Sequence, residues 1–308
     1  MFARAELHGV AGVIWDAWKA AGIPVETTLS AKLEARALAR EMDHAGHLSM
    51  LRLIDNALTV PAVALKGPLF AARYYERPSA RGTTDIDMLV AEEDLDRAIE
   101  SLASVGYHVA DSTQKVAWSL REHHHLHLAH PRAPDLELHF HAYRGFGVTL
   151  RTEMLAERSV AAPGCDTIRV PSAEDELVYL AVHAAAHRFG RLAWLHDLRL
   201  VVERMSPSAI RTAAARARTW GVSRALSLAA ELLVDVLGVD PDVVRPLGAL
   251  AGARRGLVHA VVAEPDTRIL RAATRFAYAT MLADSPTASL RYARSYSIDR
   301  MRSLLGLD

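Results

Sequence analysis

The sequence predicts a mixed α/β fold, α+β in character: a small mixed β-sheet core preceded by N-terminal helices and followed by an all-helical C-terminal domain. Three observations carry this reading. Residues 1–60, and everything from Ser172 onward, place apolar residues at helical spacing with almost no strand pattern. Between them, short apolar runs alternate with turns rich in Gly, Pro and Ser. A chain of 308 residues, 51% hydrophobic and 23% charged, is long enough for one large or two modest domains and excludes a disordered or collagen-like chain. The expected division is 1–60 for the N-terminal helices, 61–171 for the α/β core and 172–308 for the helical domain.

Taken in order, Val10, Val13, Ile14, Ala17 and Trp18 mark a first helix, and a second runs from about Ser30 to Leu58 after the break at Gly22 to Pro24. Ala62-Val63-Ala64-Leu65 is a short strand, Lys66-Gly67-Pro68 a turn with Pro suited to a first helical turn, and Leu69 to Tyr75 the helix that follows. A breaker-rich loop, Glu76 to Thr84, leads into a second strand, Asp85 to Val90. Ala91 to Val105 is helical and closed by Gly106, and Tyr107 to Ala110 is a third strand. His123 to Ala129 and Asp135 to Phe140 flank a Pro-Arg-Ala-Pro turn as an antiparallel hairpin. The helices expected beyond are Glu174 to Phe189, Leu192 to Met205, Ser208 to Trp220, Val222 to Leu237, Asp240 to Leu250 and about Pro265 to Ala283.

Lys plus Arg and Asp plus Glu are 36 each, so bulk charge argues against coating long DNA or an anionic membrane. Within residues 201–308, 15 Arg face 10 acidic residues, a mild basic bias that keeps RNA among the partners. Only four of the basic residues are Lys, which points to a GC-rich bacterial genome. The single Cys165 excludes an internal disulfide and is read as a small turn residue; it fits a reducing cytoplasm. No apolar run reaches the roughly 18 to 20 residues that cross a bilayer, so neither a signal peptide nor a membrane anchor is expected.

Asp85 and Asp87 stand two apart in a strand, so both side chains emerge on one face while Ile86 and Met88 point to the core. Two hard oxygen ligands suit Mg²⁺, which leaves its other positions to water and phosphate oxygens. Taken alone, such a pair more often caps a turn or faces solvent. Glu137, between Leu136 and Leu138, projects opposite its neighbours, and pairing with the Asp85 strand would gather three carboxylates that repel one another unless a cation compensates. Asp135 shares that face and competes for the third position. At Lys66-Gly67-Pro68, backbone N–H groups at a helix start and the Lys66 charge suit a phosphate, with Gly67 allowing close approach. Arg81 reaches the same phosphates or sits on the surface of a polar loop.

Leu65-Lys66-Gly67, the Tyr74-Tyr75 region, Arg81, Asp85 to Val90, Gly106-Tyr107 and Leu136-Glu137-Leu138-His139 together resemble the nucleotidyltransferase superfamily of the DNA polymerase β type, in its bacterial branch with a Leu-Lys-Gly turn. The resemblance covers about residues 60 to 141, and more loosely the helical segment with His183, Trp194 and Asp197. It implies a small mixed sheet, two Mg²⁺ ions on Asp85, Asp87 and Glu137, and transfer of a nucleoside monophosphate from an NTP to an acceptor hydroxyl. Lys66, the Gly67 N–H and Arg81 then neutralise the β and γ phosphates, and His139 lines the cleft. The superfamily's usual Gly-Ser turn is here Lys66-Gly67. The acceptor stays open among a protein or peptide, a small molecule and an RNA end. A rival reading is a catalytically inert module of the same fold, in a toxin–antitoxin or biosynthetic assembly.

His123, His124, His125, His127, His130, His139 and His141 crowd the hairpin. On alternating strands His123, His125 and His127 share a face, as do His139 and His141, so a transition-metal hydrolase is a third reading; the nearby carboxylates favour Mg²⁺, and such histidines often stack on bases or bind phosphate. His183 and His187 share a helix face, but Ala184 stands where a zinc protease carries Glu, leaving them as polar residues facing the cleft. Trp194, His196 and Asp197 read as helix packing with Asp197 as a polar anchor. Neither a Gly-x-Ser-x-Gly nor a P-loop sequence is present.

Overall fold

The N-terminal helices α1 (Phe2–Leu7), α2 (Ala11–Ala20) and α3 (Thr27–Ala57) are amphipathic pieces laid against the core. Glu26 starts α3, its carboxylate accepting from the backbone N–H groups of Thr28 (2.9 Å) and Leu29 (3.0 Å). Leu33 and Ala37 of α3 pack on Trp15 of α2, and Leu51 and Ile54 cover the sheet. The computed structural model describes residues 2–250, 252, 256 and 270–304.

The core strands are β1 (Ala62–Ala64), β2 (Asp85–Leu89), β3 (His108–Val109), β4 (His125–Ala129), β5 (Asp135–His139), β6 (His141–Gly145), β7 (Val148–Arg151), β8 (Val160–Ala161) and β9 (Ile168–Val170). Seven form a mixed sheet in the order β3-β4-β5-β2-β1-β9-β8, and β6 and β7 pair separately. The helices interleaved with them are α4 (Pro68–Tyr74), α5 (Leu95–Ser104), α6 (Thr113–Glu122) and α7 (Glu153–Ala156). Alternation splits the sheet into two unlike faces. Ile86, Met88, Leu126, Leu128, Leu136 and Leu138 are buried under α3 and α5. The opposite face carries Asp85, Asp87, Glu137, His125, His127 and His139, and turns toward the helical region.

That region comprises α8 (Ala173–Ala186), α9 (Leu192–Arg204), α10 (Pro207–Trp220), α11 (Ser223–Leu237), α12 (Pro241–Val244), α13 (Leu270–Leu282) and α14 (Pro286–Leu304). Helix α8 is its axis, with Leu177 through Val182, Ala184 and Ala185 all buried. Two carboxylates on it are also fully buried: Asp175 pairs with Arg158 (2.9 Å) and Arg216 (3.1 Å), and Glu176 pairs with Arg73 of α4 (3.1 Å). Arg73 and Arg158 belong to the core, so these pairs fix α8 relative to the sheet. Losing one partner strands a buried charge at about 3–5 kcal/mol.

The mixed fold with its C-terminal helical region agrees with the sequence. Several elements differ. The strand expected from His123 begins at His125, because α6, which the sequence pattern did not announce, ends with His123 as its C-cap. His141 does not continue β5 beside His139: the N–H groups of Phe140 and His141 both bond to His124 O (3.0 and 3.3 Å), and the chain turns into β6. Pro246 ends the helix expected over Asp240 to Leu250, leaving α12 and a short 3₁₀ turn. Of the helix expected from Pro265, the part before residue 270 lies outside the described residues. Strand β9, unforeseen, pairs parallel with β1. Asp55 anchors it, accepting from the N–H groups of Asp166 (2.8 Å), Thr167 (2.9 Å) and Ile168 (2.7 Å).

Candidate active site

Strands β2 and β5 run parallel and adjacent, with Asp85 opposite Asp135 and Asp87 opposite Glu137. This register brings Asp85, Asp87 and Glu137 together, each with a carboxylate oxygen within 4.8 Å of the others. Asp135, the rival third ligand, is exposed at the strand start and lies outside this group. Opposite the carboxylates stands the turn after β1. Gly67 has φ 83°, a left-handed value suited to glycine, and a Cβ there would meet Asp85 O at 3.4 Å and Thr83 Cγ2 at 3.6 Å. The turn thus brings main chain, not side chain, up to the start of β2. Helix α4, which follows, is only seven residues long.

Lys66 turns inward. Its Nζ donates to Asp87 Oδ2 and lies 3.8 Å from Asp85 Oδ2. Burial disfavours its charge, but Asp87, Asp85 and Glu137 outweigh this and raise its pKa. Asp87 is fully buried, which alone would push its carboxyl up; Lys66 and His139 prevail and hold it below the usual value. For Asp85, burial and the charges of Asp87 and Glu137 outweigh Lys66 and push the carboxyl up. Glu137 is partly buried, yet His139 and His125 draw its pKa well down. His139, buried between Asp87 Oδ1 and Glu137 Oε2 at 3.5 Å from each, is pulled up by these two carboxylates against the effect of burial.

The donor set fits Mg²⁺. Three carboxylates against the Lys66 ammonium and the His139 imidazole still leave negative charge uncompensated in a site of low solvent access, and Asp87 Oδ1 is buried with no hydrogen bond, only His139 Nε2 at 3.5 Å. A bound cation would give that oxygen a direct contact.

A cleft of about 280 Å³ lies over the carboxylates. Lys66, Gly67, the loop Arg81-Gly82-Thr83-Thr84, Asp85 and Glu137 line one side; His183, His187, Arg191 and Trp194 line the other. Trp194 packs against His183 and His187 at ring centroids of 5.5 and 5.2 Å, with the Arg191 guanidinium 5.8 Å from its ring. His183 is kept neutral, burial and the Lys66 charge pushing its pKa well down.

Arg81 reaches this cleft, but its guanidinium is committed elsewhere. Nε lies 3.0 and 3.1 Å from the two Asp197 oxygens and Nη2 2.8 Å from Oδ2, and Asp197 also accepts from the Tyr75 hydroxyl (2.7 Å). Arg81 therefore ties the loop before β2 to α9, in place of the expected free phosphate contact, and Lys66 likewise faces carboxylates. Asp197 is the polar anchor its helix position suggested. Sequence reasoning missed Arg191, Thr83 and Thr84 in the cleft; Arg191 precedes α9 with no motif around it.

The mixed sheet thus gathers an Asp-x-Asp pair and a glutamate from adjacent strands beneath a glycine turn. The model of a family described as uncharacterised nucleotidyltransferase matches residues 1–238, and the chain belongs to that family. No curated protein and no solved structure matches it.

Proposed function

We propose that the chain is a Mg²⁺-dependent transferase that moves a nucleoside monophosphate from an NTP to a hydroxyl acceptor, whether protein or peptide, small molecule or RNA end. The observation that carries this is the register of β2 and β5, which sets Asp87 opposite Glu137 and closes the three carboxylates into one group. In the reaction the acceptor hydroxyl gives up its proton to solvent as its oxygen bonds to the α-phosphorus, the α–β anhydride bond breaks and pyrophosphate leaves. Asp85, Asp87 and Glu137 would hold two Mg²⁺ ions, which when bound stabilise charge on the attacking and leaving oxygens.

The chain's other groups do the positioning. Lys66 fixes the Asp87 carboxylate. The Gly67 turn lets the triphosphate approach the main chain, and Arg191, exposed at the cleft rim, faces its outer charge. His183, His187 and Trp194 form an aromatic wall suited to a base or a flat acceptor. Isothermal titration of each NTP with Mg²⁺, on wild type and on Asp85→Asn and Asp87→Asn, tests the reading. Metal-dependent binding abolished in both variants is expected, and transfer of label from an α-³²P NTP then reports the acceptor. Absence of metal-dependent binding of any NTP by wild type overturns it and favours a partner-binding module.

A further inference from the structure

The face of the sheet beyond Glu137 is lined with imidazoles that the transfer reaction does not use. The antiparallel register of β4 and β5 sets His125 opposite His139 and His127 opposite Glu137, so four potential ligands stand in a block on one face. Glu137 has two unlike neighbourhoods. Toward β2 it meets Asp87 and Asp85; toward β4 its Oε1 lies 4.0 Å from His125 Nε2 and 3.8 Å from His127 Nε2, while Oε2 lies 3.5 Å from His139 Nε2. None of these is a formed hydrogen bond.

We infer that His125, Glu137 and His139 form a site for a divalent first-row transition ion beside the all-carboxylate centre, with Glu137 as the common ligand and His139 Nε2 3.5 Å from Asp87 Oδ1. Their ligand atoms all lie within 4.8 Å of one another. Ligands around a tetrahedral ion at about 2.0–2.1 Å stand about 3.3 Å apart, so small side-chain movements close the triad. A second observation points to a ligand: His139 is 3% exposed, its Nδ1 is buried without a hydrogen-bond partner, and its Nε2 has only the 3.5 Å approaches to Asp87 Oδ1 and Glu137 Oε2. The Nδ1 of His125 is likewise buried without a hydrogen-bond partner. A buried imidazole with no hydrogen bond costs stability, and an ion bound at His139 supplies the missing partner.

The donor chemistry separates the two centres. Carboxylates alone suit Mg²⁺; two imidazoles and one carboxylate favour Zn²⁺, Co²⁺ or Fe²⁺. With three protein ligands the ion keeps an open position. His127, whose side chain is 44% exposed, lies outside the triad at its solvent edge. The inference depends on the β4–β5 register and stands or falls independently of nucleotidyl transfer.

The test is Co²⁺ binding to chelator-stripped protein in millimolar Mg²⁺, followed by equilibrium dialysis and by the visible absorption of the ion. Wild type is expected to bind one Co²⁺ per chain, His125→Ala to bind it at least about tenfold more weakly, and Asp85→Asn to retain it while losing Mg²⁺-dependent NTP binding. On wild-type protein, bound Co²⁺ is expected to shield His125 from diethylpyrocarbonate while His127 stays reactive, a readout that needs no variant to fold. Absence of bound Co²⁺, unshielded His125, or loss of the ion in Asp85→Asn but not in His125→Ala overturns the inference.

Discussion

Replacing Asp197 by Ala tests whether Arg81 is bound into the fold or available to a ligand. Arg81 and Asp197 are 8% and 1% exposed, and the carboxylate accepts three guanidinium contacts between 2.8 and 3.1 Å as well as the Tyr75 hydroxyl at 2.7 Å. Removing it strands a buried cation, at about 3–5 kcal/mol, and a buried hydroxyl, at about 1 kcal/mol or more. The expected loss is therefore about 4–6 kcal/mol, a large part of the roughly 5–15 kcal/mol that holds a domain folded. Urea unfolding followed by tryptophan fluorescence measures it. Arg81→Met with Asp197→Leu removes both charges, and the double variant should be more stable than Asp197→Ala, because no unpaired ion is left. A loss below about 1 kcal/mol for Asp197→Ala, or strictly additive losses in the double variant, refutes the buried-pair account and returns Arg81 to the cleft as a phosphate ligand.

Arg191→Ala is expected to weaken NTP binding about five- to tenfold, the worth of one exposed charge-assisted contact, with the midpoint of thermal unfolding unchanged; titration at low and high salt checks it, since screening should narrow the difference. His183 is kept neutral in the folded chain while the unfolded chain protonates it near its ordinary pKa, so stability falls as pH drops below about 6.5, by up to about 1.4 kcal/mol per unit; urea titrations at pH 7 and pH 5 should show a steeper loss in wild type than in His183→Asn. Asp55→Ala leaves three backbone N–H groups without their acceptor and should cost about 2–4 kcal/mol in urea unfolding, with Asp55→Asn, which keeps one oxygen, losing less.

The sheet face was legible where alternation was clean. Asp85-Ile86-Asp87-Met88 and Leu136-Glu137-Leu138 announce which side chains share a face, because the period of two is a local property. Whether β2 and β5 are neighbours, and in which register, is not local; it depends on β1, β5 and β9 arranging around β2, and β9 pairs across more than a hundred residues. The partners of Lys66 and Arg81 were hidden for the same reason. A basic residue in a turn is read as solvent- or ligand-facing, yet each of these meets a carboxylate that tertiary packing supplies, Asp87 and Asp197. His123 misled because an unbroken run of histidines carries no mark of where α6 stops and β4 starts.

The position of Lys66 changes how the departure from a Gly-Ser turn is to be understood. Its ammonium serves the carboxylates, so the turn presents mainly the Gly67 backbone to the cleft, and the exposed positive charge there comes from Arg191 on the opposite wall. Under the proposed function, binding of a polyanion would draw on both the sheet and the helical region, which the pairs of Asp175, Glu176 and Asp197 hold in place. Like charges about 4 Å apart at an effective dielectric of 20 repel by about 4 kcal/mol. Lys66 and His139 offset part of that repulsion, and a divalent ion held by the folded carboxylates, as proposed, would offset more of it. An ion at about 100 times its Kd would therefore raise stability by about 2.7 kcal/mol, which makes thermal unfolding with and without Mg²⁺ a readout of the carboxylate centre that needs neither nucleotide nor acceptor.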